Sequence, residues 1–145
     1  MARAADEDLW RAAGDGSVAG IEVALGKGAD VNARGEFGDS ALNLAAQRGH
    51  KDAVQRLLER GADVENRGGA DLTPIMNAAF AGNIGIVRLL LAKGATVTDD
   101  LLQGVQMKVN ILEENAENGM VRPDAVAAWK QFLDFLVAAQ SPPRS

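Results

Sequence analysis

Gly28-Ala29-Asp30-Val31, Gly61-Ala62-Asp63-Val64 and Gly94-Ala95-Thr96-Val97 are three versions of one phrase, set 33 residues apart with no insertion between them. A unit of that size cannot bury an apolar face alone. A recurrence this strict therefore predicts one supersecondary element stacked on copies of itself.

Working outward from the glycines, the ungapped frame sets Ser40-Ala41-Leu42-Asn43-Leu44-Ala45-Ala46-Gln47-Arg48-Gly49-His50 over Thr73-Pro74-Ile75-Met76-Asn77-Ala78-Ala79-Phe80-Ala81-Gly82-Asn83. Leu9-Trp10-Arg11-Ala12-Ala13 and Gly16-Ser17 fall one period earlier. Each copy reads as two short helices. Ser40 or Thr73 supplies an N-cap oxygen, and Pro74 suits a first helical position, where its missing amide costs nothing. The paired alanines favour helix and let neighbouring helices approach closely, and Gly49 and Gly82 stop the first helix. The second helix is predicted over about 51–60 and 84–93. There Val54, Leu57 and Leu58, then Val87, Leu90 and Leu91, mark one stripe at i, i+3, i+4. Gly61 and Gly94 end these helices, and the glycine-bearing stretches Asn32 to Asp39 and Asn66 to Leu72 read as turns.

On these residues the chain resembles the ankyrin repeat proteins. Thr73-Pro74-Ile75, Gly49-His50, Leu57-Leu58 and Gly28-Ala29-Asp30-Val31-Asn32 match the family pattern, over roughly residues 5 to 98. The resemblance implies an all-α solenoid of helix-turn-helix units with β-turn fingers along one edge. Where the family places a histidine after its Thr-Pro-Leu element, this chain has Trp10, Asn43 and Met76. The hydrogen bonds that histidine supplies to the loops must then come from elsewhere or be missing.

Beyond Val97 the frame fails. Asp99-Asp100 can cap a longer helix with Leu101, Val105, Val109, Leu112 and Ala116 as its stripe, ended by Gly119. Pro123-Asp124 opens a last helix with Val126, Trp129, Leu133 and Leu136 inward, and with Lys130 and Asp134 as an i, i+4 pair toward water. The predicted organisation is one ankyrin-type domain over 1–139: a capping repeat at 5–37, internal repeats at 38–70 and 71–98, and an enlarged helical C-terminal cap at 99–139 over the apolar end of the stack. A flexible tail is expected over 140–145.

The whole chain of 145 residues, 47% hydrophobic and 24% charged, is globular in composition, and its scarcity of aromatics (4%) suits close helix packing. It has no cysteine, which excludes disulfides and thiolate metal sites. The net charge of −5 gathers at the two ends: −2 over residues 1–35, zero over 36–98 and −3 over 99–145. This disfavours nucleic acid as a partner. The first ten residues lack the apolar run of a secretory signal, and no stretch approaches the ~18 to 20 apolar residues of a membrane span. A cytoplasmic protein, monomeric when unbound, is expected.

Catalytic groups are few. The one histidine, His50, falls in the Gly-His element, where both the family and the local helix start give it a structural hydrogen bond. Glu113, Glu114 and Glu117 resemble a solvated helix face, and Glu114 and Glu117, one turn apart, lack the further oxygen ligands of a calcium loop. No glycine-rich loop follows a strand as phosphate binding requires. No catalytic residue, metal or cofactor is therefore expected. A second reading, a small enzyme or ligand-binding domain, would draw on Lys108, Glu113, Glu114 or Arg122 in a groove between the last repeat and the C-terminal cap.

In the ankyrin family the finger tips and the exposed side of each first helix form the usual protein-binding face. Transferred onto this chain, that face comprises Trp10, Glu36, Phe37, Asp39, Asn43, Gln47, Arg48, Leu72, Met76, Phe80 and Ala81. Trp10, near the finger bases, either stiffens the first unit or meets a ligand. Phe37 and Phe80, with Leu72 between their units, stand out, because a solvent-facing Phe contributes nothing to folding while buried aromatics dominate many contacts. The leading expectation is a non-catalytic module that binds one protein partner and inhibits, shields or recruits it, with an immunity- or inhibitor-type role among the options.

Overall fold

The computed structural model describes residues 4–140, and these divide between Ala95 and Thr96 into two compact units. The first contains α1 (Ala4–Asp15), α2 (Val18–Gly26), α3 (Ala41–Arg48), α4 (Lys51–Glu59), a 3-10 turn (Gly69–Asp71), α5 (Pro74–Phe80) and α6 (Ile84–Ala92). The second is α7 (Asp99–Glu117) and α8 (Pro123–Gln140), packed on each other. No strand occurs among the described residues.

In the first unit, α3 packs between α1 and α5, and α4 contacts both α2 and α6. Each repeat thus lays one helix in an inner row and one in an outer row. Alanine makes the inner row close: Ala45, Ala46, Ala78 and Ala79 have no exposed surface. Leu9, Ile21, Leu42, Val54, Leu57, Ile75, Ile86, Val87 and Leu90, all fully buried, fill the space between the rows. Leu58 and Leu91 in the predicted stripes are half-buried.

The helix ends obey the repeat. Ser40 Oγ accepts from Asn43 N while Asn43 Oδ1 accepts from Ser40 N, a reciprocal cap, and Thr73 Oγ1 accepts from Met76 N. At the other ends, Ala29 N donates to Ala24 O, Ala62 N to Leu57 O and Ala95 N to Leu90 O, at 3.0 to 3.1 Å. These six-to-one bonds need a left-handed residue at the turn, and Gly28, Gly61 and Gly94 hold φ of 94, 90 and 93°.

The outer row is also tied by charge. Glu22 on α2 meets Arg60 in a two-pronged contact, with Arg60 Nε 3.1 Å from Oε2, and Arg56 Nη1 lies 3.3 Å from Oε1. The hydrogen bond from Arg60 holds the Glu22 carboxyl below the usual carboxylate range and raises Arg60.

In the second unit Leu101, Val105 and Val109 are buried, and Leu112 and Ala116 half-buried, as the stripe predicts. Three details differ from the sequence reading. The N-cap of α7 is Thr98, whose Oγ1 accepts from Leu101 N, and Asp100 supports the same amide. Phe132 is buried on α8, while Trp129 and Leu133 are half-buried. Lys130 pairs with Glu113 across the hairpin instead of with Asp134. Gln140, expected in a flexible tail over 140–145, instead closes α8 and donates to Asp99 Oδ1 at 2.8 Å; positions 141–145 lie outside the described residues.

Candidate protein-binding face

The fingers arise from one turn used twice. Gly38 N donates to Gly35 O and Gly35 N to Asp39 O; one period on, Asp71 N donates to Gly68 O and Gly68 N to Leu72 O, all at 2.9 to 3.0 Å. Gly38 takes φ +90°, and at its equivalent Asp71 takes φ +61° beside Ala70 at +59°. Aspartate tolerates this region; alanine does so at a cost.

An arginine braces each turn. Arg34 Nε donates to Gly38 O at 3.0 Å, and Arg67 Nη1 to Asp71 O at 2.9 Å. Arg34 Nη2 reaches on to Arg67 O at 2.9 Å, which joins the two fingers. Asp39 seals the same junction by accepting from Gly69 N at 2.8 Å. It needs Gly68 beside it, since a Cβ there would stand 2.0 Å from Asp39 Oδ1.

Below the fingers, the missing histidines have replacements. Trp10 Nε1 donates to Ala33 O at 3.1 Å, and Asn43 Nδ2 to Asn66 O and Leu72 O at 3.2 Å. Asn43 Oδ1 also accepts from Asn66 Nδ2 at 2.7 Å, and Asn66 Nδ2 reaches Gly38 O. His50 Nε2 lies 3.0 Å from Gly14 O, tying α4's start to the repeat before it.

These contacts sort the residues predicted for the partner face. Asn43 and Met76, expected there, are 1% and 2% exposed. They point into the stack, Asn43 because its amide satisfies buried backbone carbonyls and Met76 because its sulfur turns back to accept from Thr73 N at 3.4 Å. Trp10 and Leu72 are half-buried, Trp10 through its bond to the first finger, and Asp39 is engaged by the second. Glu36, Gln47, Arg48 and Ala81 are exposed. Phe37 is 78% exposed at the tip of its turn, and Phe80 is 37% exposed at the end of α5. Sequence reasoning passed over half-buried Leu44 and Asn77, 7% exposed, which precede Gln47-Arg48 and Phe80-Ala81 by one helical turn; counting back three residues from Gln47 and from Phe80 finds them.

Three of the four groups named for a ligand groove have partners within the second unit. Lys108 Nζ stands 5.5 Å over the Trp129 ring, which itself meets Phe132 edge-on at 5.7 Å. Glu113 pairs with Lys130, and Arg122 Nε lies 3.6 Å from Asp124 Oδ1. Glu114 and Glu117 are exposed, and no three His, Cys, Asp or Glu side chains gather among the described residues. No helix among them is long and apolar enough to cross a membrane.

Inner and outer helical rows, repeated six-to-one glycine ends and braced turns define a repeat solenoid, and the comparison with protein families agrees. The model for ankyrin repeats, in three copies, matches residues 9–100. The chain belongs to the ankyrin repeat family. Ankyrin repeats generally mediate protein–protein interaction and are typically non-catalytic. A search of curated proteins returns no match to this chain.

Proposed function

We propose that the stack binds one protein partner through its finger tips and the exposed side of α3 and α5, and acts by occupying that partner's surface: inhibiting, shielding or recruiting it. The observation that carries this reading is Phe37. An aromatic ring 78% exposed, on a turn whose backbone is fixed by Arg34, Gly35 and Gly38, is presented at little ordering cost on binding. Phe80 and the uncommitted polar ends of Glu36, Gln47 and Arg48 supply the surrounding contacts. A blocking contact needs about 1,200 to 2,000 Å² of total buried area.

In this reading the protein is a cytoplasmic monomer until bound. The test is capture from native lysate with the Phe37→Ala, Phe80→Ala double variant as control. The double variant keeps its helical circular dichroism and melting temperature but loses the captured protein. Equal capture by both, or joint loss of fold and capture, contradicts the proposal.

A further inference from the structure

One polar group on this face is aimed by the fold and left unused. Asn77 is 7% exposed, and its Oδ1 accepts from Asn43 Nδ2 at 2.9 Å. The orientation is forced by the network. Asn43 Oδ1 faces Ser40 N, which can only donate, and Asn43 Nδ2 faces the carbonyls of Asn66 and Leu72, which can only accept. Asn77 must therefore turn its oxygen to Asn43 and its Nδ2 away. That nitrogen donates to nothing among the described residues. Among the described residues no sealed side-chain nitrogen or oxygen lacks a partner, so Asn77 Nδ2 is not sealed from solvent.

Asn77 shares a helical face with Phe80 and Ala81, and its equivalent one repeat earlier is Leu44, on a face with Gln47 and Arg48. Neither α3 nor α5 carries a carboxylate. Arg48 makes no ion pair or hydrogen bond among the described residues; its guanidinium lies against Gly14. Nearby acids are engaged: Asp39 accepts from Gly69 N and Asp71 pairs with Arg67. The open ones, Asp15 and Glu36, sit on α1 and on a finger tip.

We infer that Asn77 is a specificity-determining donor, and that the segment of the partner seated over α3 and α5 presents an aspartate or glutamate next to an apolar side chain. The carboxylate accepts from Asn77 Nδ2, while the apolar neighbour lies on Phe80 and Leu44. A donor already oriented by its neighbours loses little freedom on binding, and its bond to a charged acceptor is stronger than one between neutral groups. This inference rests on the binding face proposed above.

The test is selection of random peptides displayed on phage against the full chain. Selected sequences are enriched in Asp or Glu beside Leu, Ile or Phe, and changing that acid to its amide in a synthetic peptide weakens binding to the wild type about tenfold or more. Asn77→Asp keeps an oxygen toward Asn43 but removes the outward donor. Its selected sequences lose the acid and gain Lys or Arg, with the helical circular dichroism of the wild type and a melting temperature lowered by the charge brought to a site 7% exposed. Peptides that need Phe80 yet show no preference for acid, and bind equally as acid or amide, overturn the role of Asn77 while leaving the face intact. Failure to select any peptide that competes for Phe80, or self-association of the chain through this face, overturns it as well.

Discussion

Trp10 and Asn43 stand one period apart and perform the same act: each donates from its side chain to a backbone carbonyl 23 residues ahead, Ala33 O at 3.1 Å and Asn66 O at 3.2 Å. Chemically unlike side chains thus brace two successive fingers from below. Asn43 does more, since its amide also serves Ser40, Leu72, Asn66 and Asn77.

Asn43→Ala is accordingly expected to destabilise the protein by about 2 to 3 kcal/mol, because it strands buried carbonyls and one amide together. Trp10→Phe keeps most of the ring and loses one bond, which costs about 1 kcal/mol. Urea denaturation of both variants checks the order; equal effects would contradict the network.

Steric space and backbone angle make separable demands on the glycines. Gly26 and Gly61 both have open space where a Cβ would go, but only Gly61 has positive φ, +90°. Gly26→Ala should stabilise by about 0.5 to 1 kcal/mol and Gly61→Ala should destabilise by about 1 kcal/mol. Gly68→Ala, whose Cβ would meet Asp39, should cost more than either. Thermal melts of the three variants give the ranking.

Ala70 is the converse case, a Cβ held at φ +59° on an exposed turn. Ala70→Asn should raise stability by about 0.5 kcal/mol, since asparagine tolerates this region. A lowered melting temperature would show that the turn depends on something other than its backbone angles.

The Glu22 cluster gives a pH dependence of known sign. Its folded-state pKa is lowered, so its contribution is complete above the ordinary carboxylate range and is lost as pH falls through the lowered value. Arg60, being raised, contributes evenly across all working pH. Wild type should therefore melt above Glu22→Gln near pH 7, with the gap closing as pH falls below the ordinary carboxylate range and shrinking in about 1 M salt. A gap equally wide at low pH would assign it to packing.

The 33-residue period made the solenoid legible, because glycines that end helices and alanines that pack them have few substitutes. The face was harder to read. Asn43 and Met76 belong to the expected face only by transfer from the family, and their burial, 1% and 2% exposed, shows that here they point inward. Asn77 escaped notice for the opposite reason: its polar end is aimed outward by an Asn43 contact spanning 34 residues, which no local pattern records. In the second unit, Thr98 and Asp100 both serve Leu101 N at the first turn of α7, where the sequence points only to Asp99-Asp100.

The most direct measurement is hydrogen–deuterium exchange on the wild-type chain, alone and with its captured partner. The account predicts new protection over residues 34–39, 44–48, 68–72 and 77–81, with α2, α4 and α6 unchanged. Protection confined to those outer helices, or to α7 and α8, would contradict it.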